Sequence, residues 1–202
     1  MRKYALLLIP FLIALFHVRA GAEEKAVEWQ LDKSHSVIGF SARHLGISKV
    51  KGHFEEFEAV SVKADPQSGK IAYVEAVAKA GSVNTGIDKR DGHLRSADFF
   101  DADKYPDIRL KTTSITWDGD KISIVTDFTM KGVTRTVTFT GEYLGAVKAD
   151  FGQGVTQRSG YSVEAVVNRK DFGLNFNMLA EGVSVVSDEV RLQLEVEIWR
   201  AL

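Results

Sequence analysis

The densest mixture of charged and aromatic side chains in this sequence lies in residues 90–101. Arg90, His93 and Arg95 are of the types that bind anionic or carbonyl head groups. A guanidinium fork matches phosphate oxygens, and an imidazole donates a further hydrogen bond. The segment therefore offers a candidate site for a polar head group.

The same segment also has a purely structural interpretation. On a helix, Asp91 and Arg95 would be four residues apart and could form an ion pair. Leu94, Phe99 and Phe100 would then plug a hydrophobic core beneath a solvated helix face. Residue types and spacing alone leave both interpretations open.

Metal binding is not indicated by the histidine pattern. Removal of a leader would leave His35, His44, His53 and His93, which show neither His-x-His nor His-Glu-x-x-His spacing, and the sequence has no Cys. We therefore predict no metal site.

Nucleophilic catalysis and nucleotide binding have no sequence signature either. There is no Gly-x-Ser-x-Gly motif and no phosphate-binding Gly-x-x-x-x-Gly-Lys motif, and Gly152-Gln153-Gly154 lacks the third glycine of a dinucleotide site. We predict that the protein is not an enzyme, that it has no catalytic residues and that it needs no cofactor.

The N-terminus has the pattern of a secretory signal peptide. Arg2 and Lys3 precede the apolar residues 5–16, and Ala20-Gly21-Ala22 is a small-x-small cleavage site. The apolar run is shorter than the roughly 20 residues that span a bilayer, so stable membrane insertion is not expected. We predict a cleaved signal peptide (1–22), a single domain (23–202) and a periplasmic location.

Charge and cysteine content narrow the class of partner. The 202 residues include 26 basic and 27 acidic side chains, and loss of Arg2, Lys3 and Arg19 would leave 23 basic residues. This slight acidity argues against a nucleic-acid partner. An exported chain without Cys forms no disulfides, which is common in the bacterial periplasm.

Period-two alternation of apolar and polar residues dominates the rest of the chain and predicts antiparallel strands. We expect about eight strands, with residues 50–64 forming one bent strand or two. The predicted segments are residues 34–43, 50–64, 71–83, 108–117, 122–128, 133–143, 161–169 and 190–198. In residues 108–117 the apolar positions switch from even to odd, which predicts a β-bulge.

Short turns rich in Pro, Asp and Gly link these strands, as in residues 65–69, 118–120 and 131–132. Strands joined in this way favour a barrel over a sandwich, because a barrel leaves no long exposed edge. We predict an all-β fold, an eight-stranded antiparallel β-barrel. Residues 85–103 are predicted to form a short helix capped by Thr85 or Asp88, and residues 171–188 a long loop, both at the barrel mouth.

A barrel of this size either fills with its own side chains or encloses one small ligand. The expected inward positions include the large Phe40, Phe128, Phe139 and Ile198 and the small residues Ala76, Ala78 and Ala80. The pattern leaves open whether the interior is filled or partly empty.

Several strings in the sequence together resemble those of the YceI family of periplasmic polyisoprenoid-binding proteins. The most specific is Arg90-Asp91-Gly92-His93-Leu94-Arg95-Ser96-Ala97-Asp98-Phe99-Phe100-Asp101. The others are Leu31-Asp32-Lys33-Ser34-His35-Ser36-Val37-Ile38-Gly39-Phe40, His44-Leu45-Gly46, Tyr105-Pro106, Gly132-Val133-Thr134-Arg135 and Arg169-Lys170-Asp171-Phe172-Gly173. The resemblance extends over about residues 27–200.

This resemblance implies an extended lipocalin-like barrel whose apolar tunnel holds a long isoprenoid chain, in a prenyl phosphate or a quinone, or another long-chain amphiphile. It implies binding, transport or storage of such a lipid and adds nothing in favour of catalysis. Two alternatives stay open, an enzyme acting on such lipids and a ligand-free structural barrel. The sequence also leaves open the lipid's identity and whether the protein forms a homodimer.

The resemblance places Asp91, His93 and Arg95 near the tunnel mouth, where a head group would lie. Strand parity, which a bulge would reverse, predicts which aromatic residues form the tunnel walls. They are Phe40, Phe99, Phe128 and Phe139.

Overall fold

A computed structural model describes residues 26–202, so the predicted signal peptide lies outside the described residues. Antiparallel strands make up most of this part of the chain, together with a single short α-helix and three 3₁₀ turns. No helix in residues 26–202 is long and apolar enough to cross a membrane. The all-β prediction is confirmed.

The strands and the helix follow one another along the chain with short connections. In order they are β1 (Val27–Glu28), β2 (Gln30–Leu31), β3 (Val37–His44), β4 (Ser48–Phe54), β5 (Phe57–Ala64), β6 (Ile71–Lys79), β7 (Val83–Asn84), α1 (Asp88–Arg95), β8 (Asp107–Asp118), β9 (Lys121–Met130), β10 (Val133–Asp150), β11 (Val155–Asn168), β12 (Leu179–Ala180), β13 (Val183–Ser184) and β14 (Val186–Ala201).

The long strands form one antiparallel sheet in the order β5-β6-β8-β9-β10-β11-β14-β3-β4. The two strands at the ends of this path, β4 and β5, are consecutive in the chain and separated only by Glu55 and Glu56. The sheet therefore returns to its own first strand and forms a barrel. If β4 and β5 are counted as one bent strand, the barrel has eight strands, as predicted.

The segment that precedes β3 completes the barrel at one end. β1 pairs with β5, and β2 pairs with β14, so five consecutive residues bridge two strands of the wall. Between them, Trp29 is buried, and its backbone N–H donates to the Val62 carbonyl at 2.8 Å. A chain that lacked this segment would have a gap between β5 and β14.

The predicted bulge is present in β8. Its register against β9 shifts between Thr112 and Ser114, so one extra residue moves the following apolar side chains to the other parity. Ile108 and Leu110 on one side of the bulge and Ile115 on the other all pack on the core.

The turn at residues 131–132 shows why its residue types matter. Lys131 and Gly132 both have positive φ angles, as a two-residue turn that matches the strand twist requires. A Cβ atom on Gly132 would also lie 2.8 Å from the ring of Tyr105, so glycine is required for close approach as well as for conformation.

The helix is shorter than predicted, and its predicted cap is wrong. α1 covers Asp88–Arg95, and its N-cap is Ile87, which makes no side-chain capping hydrogen bond. Thr85 does not cap the helix because Asp91, from inside the helix, accepts hydrogen bonds from the Thr85 backbone N–H and hydroxyl. Asp91 is therefore not available for the expected pair with Arg95.

Candidate ligand-binding cavity

The barrel encloses a cavity of about 210 Å³ whose lining is almost entirely hydrocarbon and aromatic. Strand alternation produces this lining, because every second side chain of each strand points inward. The lining is completed at one end by Leu94 of α1, Phe99 of the loop after α1 and Leu174 of the segment that follows β11. The interior can therefore accept an apolar chain and offers a charged group little solvation.

The free space lies against one side of the barrel. Inward side chains of β9, β10 and β11, such as Ile124, Phe139 and Val163, are buried. By contrast, most inward residues of β14, β3, β5 and β6 are partly accessible although they face the interior. They are Ile38, Phe40, Ala42, Phe57, Ala59, Val74, Ala76, Val190, Leu192, Leu194 and Val196. A bound chain would thus lie against this half of the barrel, which includes β3 and β14.

All four predicted wall aromatics line this cavity, and these are Phe40, Phe99, Phe128 and Phe139. Phe40 lies over Gly52 of β4, its partner in the ladder, and a Cβ atom at that glycine would overlap the ring. Phe128 contacts Phe139 and Phe172, with ring centroids 6.3 and 5.7 Å away. Contact of these residues with a ligand stays a prediction.

Asp91 does not line the cavity. It is 5% exposed, and its carboxylate accepts from the Thr85 N–H at 2.9 Å. Arg90 adds hydrogen bonds to the same threonine, from Nε to Oγ1 at 2.7 Å and from Nη2 to the carbonyl at 2.8 Å. Asp91 and Arg90 thus hold α1 against the chain that follows β7.

His93 and Arg95 lie outside the cavity, on the exposed side of α1. His93 Nε2 is 2.9 Å from an Asp98 carboxylate oxygen. The His93 ring stands edge-on to Phe99 and Phe176, with centroids 5.1 and 4.9 Å away. His93 therefore adjoins one cavity-lining ring, and a head-group role for His93 and Arg95 remains a prediction.

The segment at residues 173–185, here called the lid, covers the end of the barrel beside α1. It carries the short hairpin of β12 and β13, and its Leu174 is buried against the cavity. Phe176 of the lid packs on Phe99 with a centroid separation of 4.9 Å. The predicted long loop at the mouth thus contains a short hairpin and contacts the helix through Phe176 and His93.

Sequence reasoning missed Arg169, a buried cation that anchors the lid. Arg169 is 2% exposed, and its guanidinium donates to the Leu174 carbonyl, to the Ser187 carbonyl at 3.0 Å and to Asp188 at 2.9 Å. A hydrogen bond from Lys170 lowers the pKa of Asp188. A signal was present, because Arg169 continues the odd-numbered inward positions of β11.

The opposite end of the barrel is closed by the turn between β5 and β6, residues 65–70, here called the plug. Its consecutive carbonyls each accept one side-chain hydrogen bond from across the barrel. Arg200 donates to Pro66 at 2.7 Å, Gln157 donates to Gln67 at 3.0 Å, Tyr143 donates to Ser68, and Tyr161 donates to Gly69. The cavity is therefore blind at this end.

Near the plug end, Asp32, His35 and Glu197 bring three potential metal ligands together. Arg158 already lies between the two carboxylates, 2.7 Å from Asp32 and 2.5 Å from Glu197. Burial alone would raise the pKa of Asp32, but hydrogen bonds from Arg158 and His35 lower it. The Arg158 guanidinium therefore occupies the position between the two carboxylates that a metal ion would take.

Comparison with known proteins agrees with this architecture. The family model described as YceI-like domain matches residues 29–198. A UPF0312 protein of Staphylococcus aureus is 35% identical over 167 residues, which cover 82% of this chain and 94% of that protein.

Solved structures with the same fold include a Campylobacter jejuni YCEI protein, with 31% identity and a TM-score of 0.68 over 79% of this chain and 90% of that one. A polyisoprenoid binding domain from Saccharophagus degradans has 16% identity and a TM-score of 0.56 over 84% of this chain and 97% of that one. At that identity the likeness shows the fold alone. With a matching family model across most of its length, the chain belongs to the YceI family.

Proposed function

We propose that this protein binds one long-chain isoprenoid lipid, a polyprenyl phosphate or an isoprenoid quinone, in its barrel cavity and carries or stores it in the periplasm. The observation that carries this proposal is a cavity with an apolar lining, blind at the plug and covered by a lid at the other end. No reaction is part of the proposal.

The driving force is the removal of hydrocarbon from water. Each buried CH₂ group contributes about 0.8 kcal/mol, so a chain lying along β3 and β14 binds through length alone. The partly accessible Ile38, Leu192 and Leu194 face that path and would become buried when it is filled. Affinity should therefore rise with chain length until the chain reaches the plug.

Two features support an isoprenoid over other amphiphiles. The similar fold of the Saccharophagus degradans domain belongs to a protein described as polyisoprenoid binding. The lining also mixes aromatic rings with β-branched and small side chains, such as Phe40, Val190 and Ala76, which leaves an uneven surface suited to a methyl-branched chain.

The orientation of the bound lipid follows from the difference between the two ends of the barrel. Because the plug end is blind, the chain terminus should point to the plug and the head group to the lid and α1. His93 and Arg95 lie on that side and are the proposed head-group contacts. Arg169 is not proposed as one, because its donors are bonded to the Leu174 carbonyl of the lid, the Ser187 carbonyl of β14 and the Asp188 carboxylate.

The test is native mass spectrometry of the full chain purified after export, followed by organic extraction of any bound molecule. Ala76→Trp fills the cavity from β6, and Ala72→Trp places the same ring on the exposed face of that strand. We expect a bound isoprenoid mass in the wild type and in Ala72→Trp, and none in Ala76→Trp.

Ala59→Phe on β5 is a second cavity-filling variant, which replaces Ala76→Trp if that protein does not fold. Circular dichroism measures whether each variant is folded. The proposal is wrong if the wild type is empty and takes up no prenyl phosphate, quinone or fatty amide. It is also wrong if both Trp variants retain lipid equally.

A further inference from the structure

We propose that the lid end of the barrel docks on an anionic lipid bilayer, so that the lipid chain passes between membrane and cavity without crossing water. The docking surface, here called the rim, consists of Ile47, Met178, Leu179 and Val183. This inference rests on the proposed function and adds the surface through which the ligand would be exchanged.

The rim is a cluster of exposed hydrophobic side chains on two adjoining loops. Ile47, in the turn between β3 and β4, is 86% exposed, and Leu179 on the lid hairpin is 59% exposed. A backbone hydrogen bond from Leu45 N to Val185 O at 3.2 Å joins the two loops, and within the lid Val185 N donates to Met178 O at 2.9 Å. Single exposed apolar residues need no explanation, but a projecting group of them marks an interaction surface.

The rim is continuous with the cavity lining. Val186 follows directly after the lid, lines the cavity and pairs with His44 at the end of β3. On the other side of the lid, Phe176 contacts the cavity-lining Phe99. A chain leaving the cavity beneath the lid would therefore emerge beside the rim, whereas the plug blocks the other end.

Basic side chains stand behind the rim on the outer face of the wall. Arg43 of β3 pairs in register with Lys49 of β4, and Lys51 follows on the same face, all three exposed. In the part of the chain that the structure describes, none of the three lies within 4.0 Å of a carboxylate. The acidic residues on the neighbouring chain are Glu181 of the rim hairpin and the exposed Glu189 near the start of β14, so three basic side chains stand against two acidic ones.

Apolar projections backed by lysine and arginine match the interface of an anionic bilayer, where hydrocarbon inserts and cations meet phosphate groups. They match a second copy of this chain poorly. A two-fold contact through the rim would bring Arg43 and Lys49 of one copy close to the same residues of the other, and like charges repel.

The test is flotation with phosphatidylcholine vesicles with and without phosphatidylglycerol. The double variant Ile47→Ser/Leu179→Ser removes two rim side chains. The matched control Leu144→Ser/Val147→Ser changes two residues that are 60% and 59% exposed on β10. We expect wild type and control to bind the anionic vesicles, the rim variant to bind about tenfold more weakly, and added salt to release all of them.

A charge variant, Lys49→Gln/Lys51→Gln, should lose binding to anionic vesicles to a similar degree while it keeps the rim. The docking proposal is overturned if the wild type does not bind anionic vesicles or if the control loses as much binding as the rim variant. It is also overturned if the only effect of the rim variant is to convert a dimer to a monomer.

Loading of the cavity with a fluorescent prenyl lipid from detergent is measured separately. Normal loading without docking overturns this inference alone, whereas failed loading by the wild type counts against the proposed function.

Discussion

Arg95 is the residue at which the head group of the proposed ligand can be tested. It is exposed on α1 at the lid end, and a guanidinium binds phosphate more strongly than a neutral quinone ring. Arg95→Ala should weaken binding of a prenyl phosphate by about tenfold and leave quinone binding nearly unchanged. Displacement of a fluorescent lipid measures both affinities. Lys89→Ala, on the same helix, is the control, and equal loss for both ligands would refute the head-group role.

Asp91, from the same motif, should behave differently because it is buried and bonded to Thr85. Asp91→Ala leaves the Thr85 N–H without its acceptor, which should lower the free energy of unfolding by about 1–3 kcal/mol. Urea denaturation measures the loss. Where the variant is folded, its affinity for a neutral quinone should equal that of the wild type. A selective loss of ligand binding at unchanged stability would instead assign Asp91 to the site.

At this scale, sequence patterns placed side chains on a face but could not assign their partners. Period-two alternation was sufficient to predict that Phe40, Phe128 and Phe139 point inward. It could not show that Asp91 turns back to Thr85 rather than along the helix to Arg95, since Arg95 is four residues further along the helix whereas Thr85 comes close only through the path of the loop before α1. The inward position of Arg169 followed from the parity of β11, but its partners come from a segment that had no predicted structure.

Among the elements, the plug gives a pH-dependent prediction through Tyr161. Burial raises the pKa of the Tyr161 hydroxyl above its usual value of 10.0. Below pH 10 the tyrosine is protonated in the folded and the unfolded chain, and its contribution to stability is complete. Above that pH the unfolded chain releases the proton and the folded one keeps it. The free energy of unfolding should therefore fall as pH rises, by up to about 1.4 kcal/mol per pH unit.

Tyr161→Phe isolates this effect from the other titrating groups. Urea unfolding at pH 9 and pH 11 should show a smaller decrease for Tyr161→Phe than for the wild type. At pH 9 the variant should be less stable by about 1 kcal/mol, because the Gly69 carbonyl loses its donor. If the free energy of unfolding changed equally with pH in the two proteins, the Tyr161 hydroxyl would not be the group responsible.

Element prediction succeeded where one chain segment determines the structure and failed where two segments interact. The change of parity in β8 is a local signal, and the bulge between Thr112 and Ser114 confirms it. The cap of α1 was wrong because Asp91 already engages Thr85 from within the helix. The plug had a clear turn signature, but nothing in residues 65–70 indicates that four side chains of distant strands bind their carbonyls.

For the molecule as a whole, the strand count could be predicted but the means of closure could not. β4 and β5 close the barrel because one chain bends at Glu55 and Glu56 and pairs on opposite sides before and after the bend. Whether the interior is empty depends on how the strands tilt around small residues such as Ala42, Ala59 and Ala76. The sequence contains those small residues, but it does not show that they face one another across free space.

An empty cavity should make the whole molecule depend on its lipid for stability. A ligand that binds only the folded state at 100 times its Kd stabilises it by about 2.7 kcal/mol. Delipidated protein should therefore unfold at lower urea than reloaded protein, by an amount that grows with lipid concentration. Ala76→Trp, which fills the cavity, should show no such dependence, while Ala72→Trp should behave as the wild type. Equal stabilisation of Ala76→Trp would mean that the lipid binds outside the barrel, and chain length would then cease to set affinity.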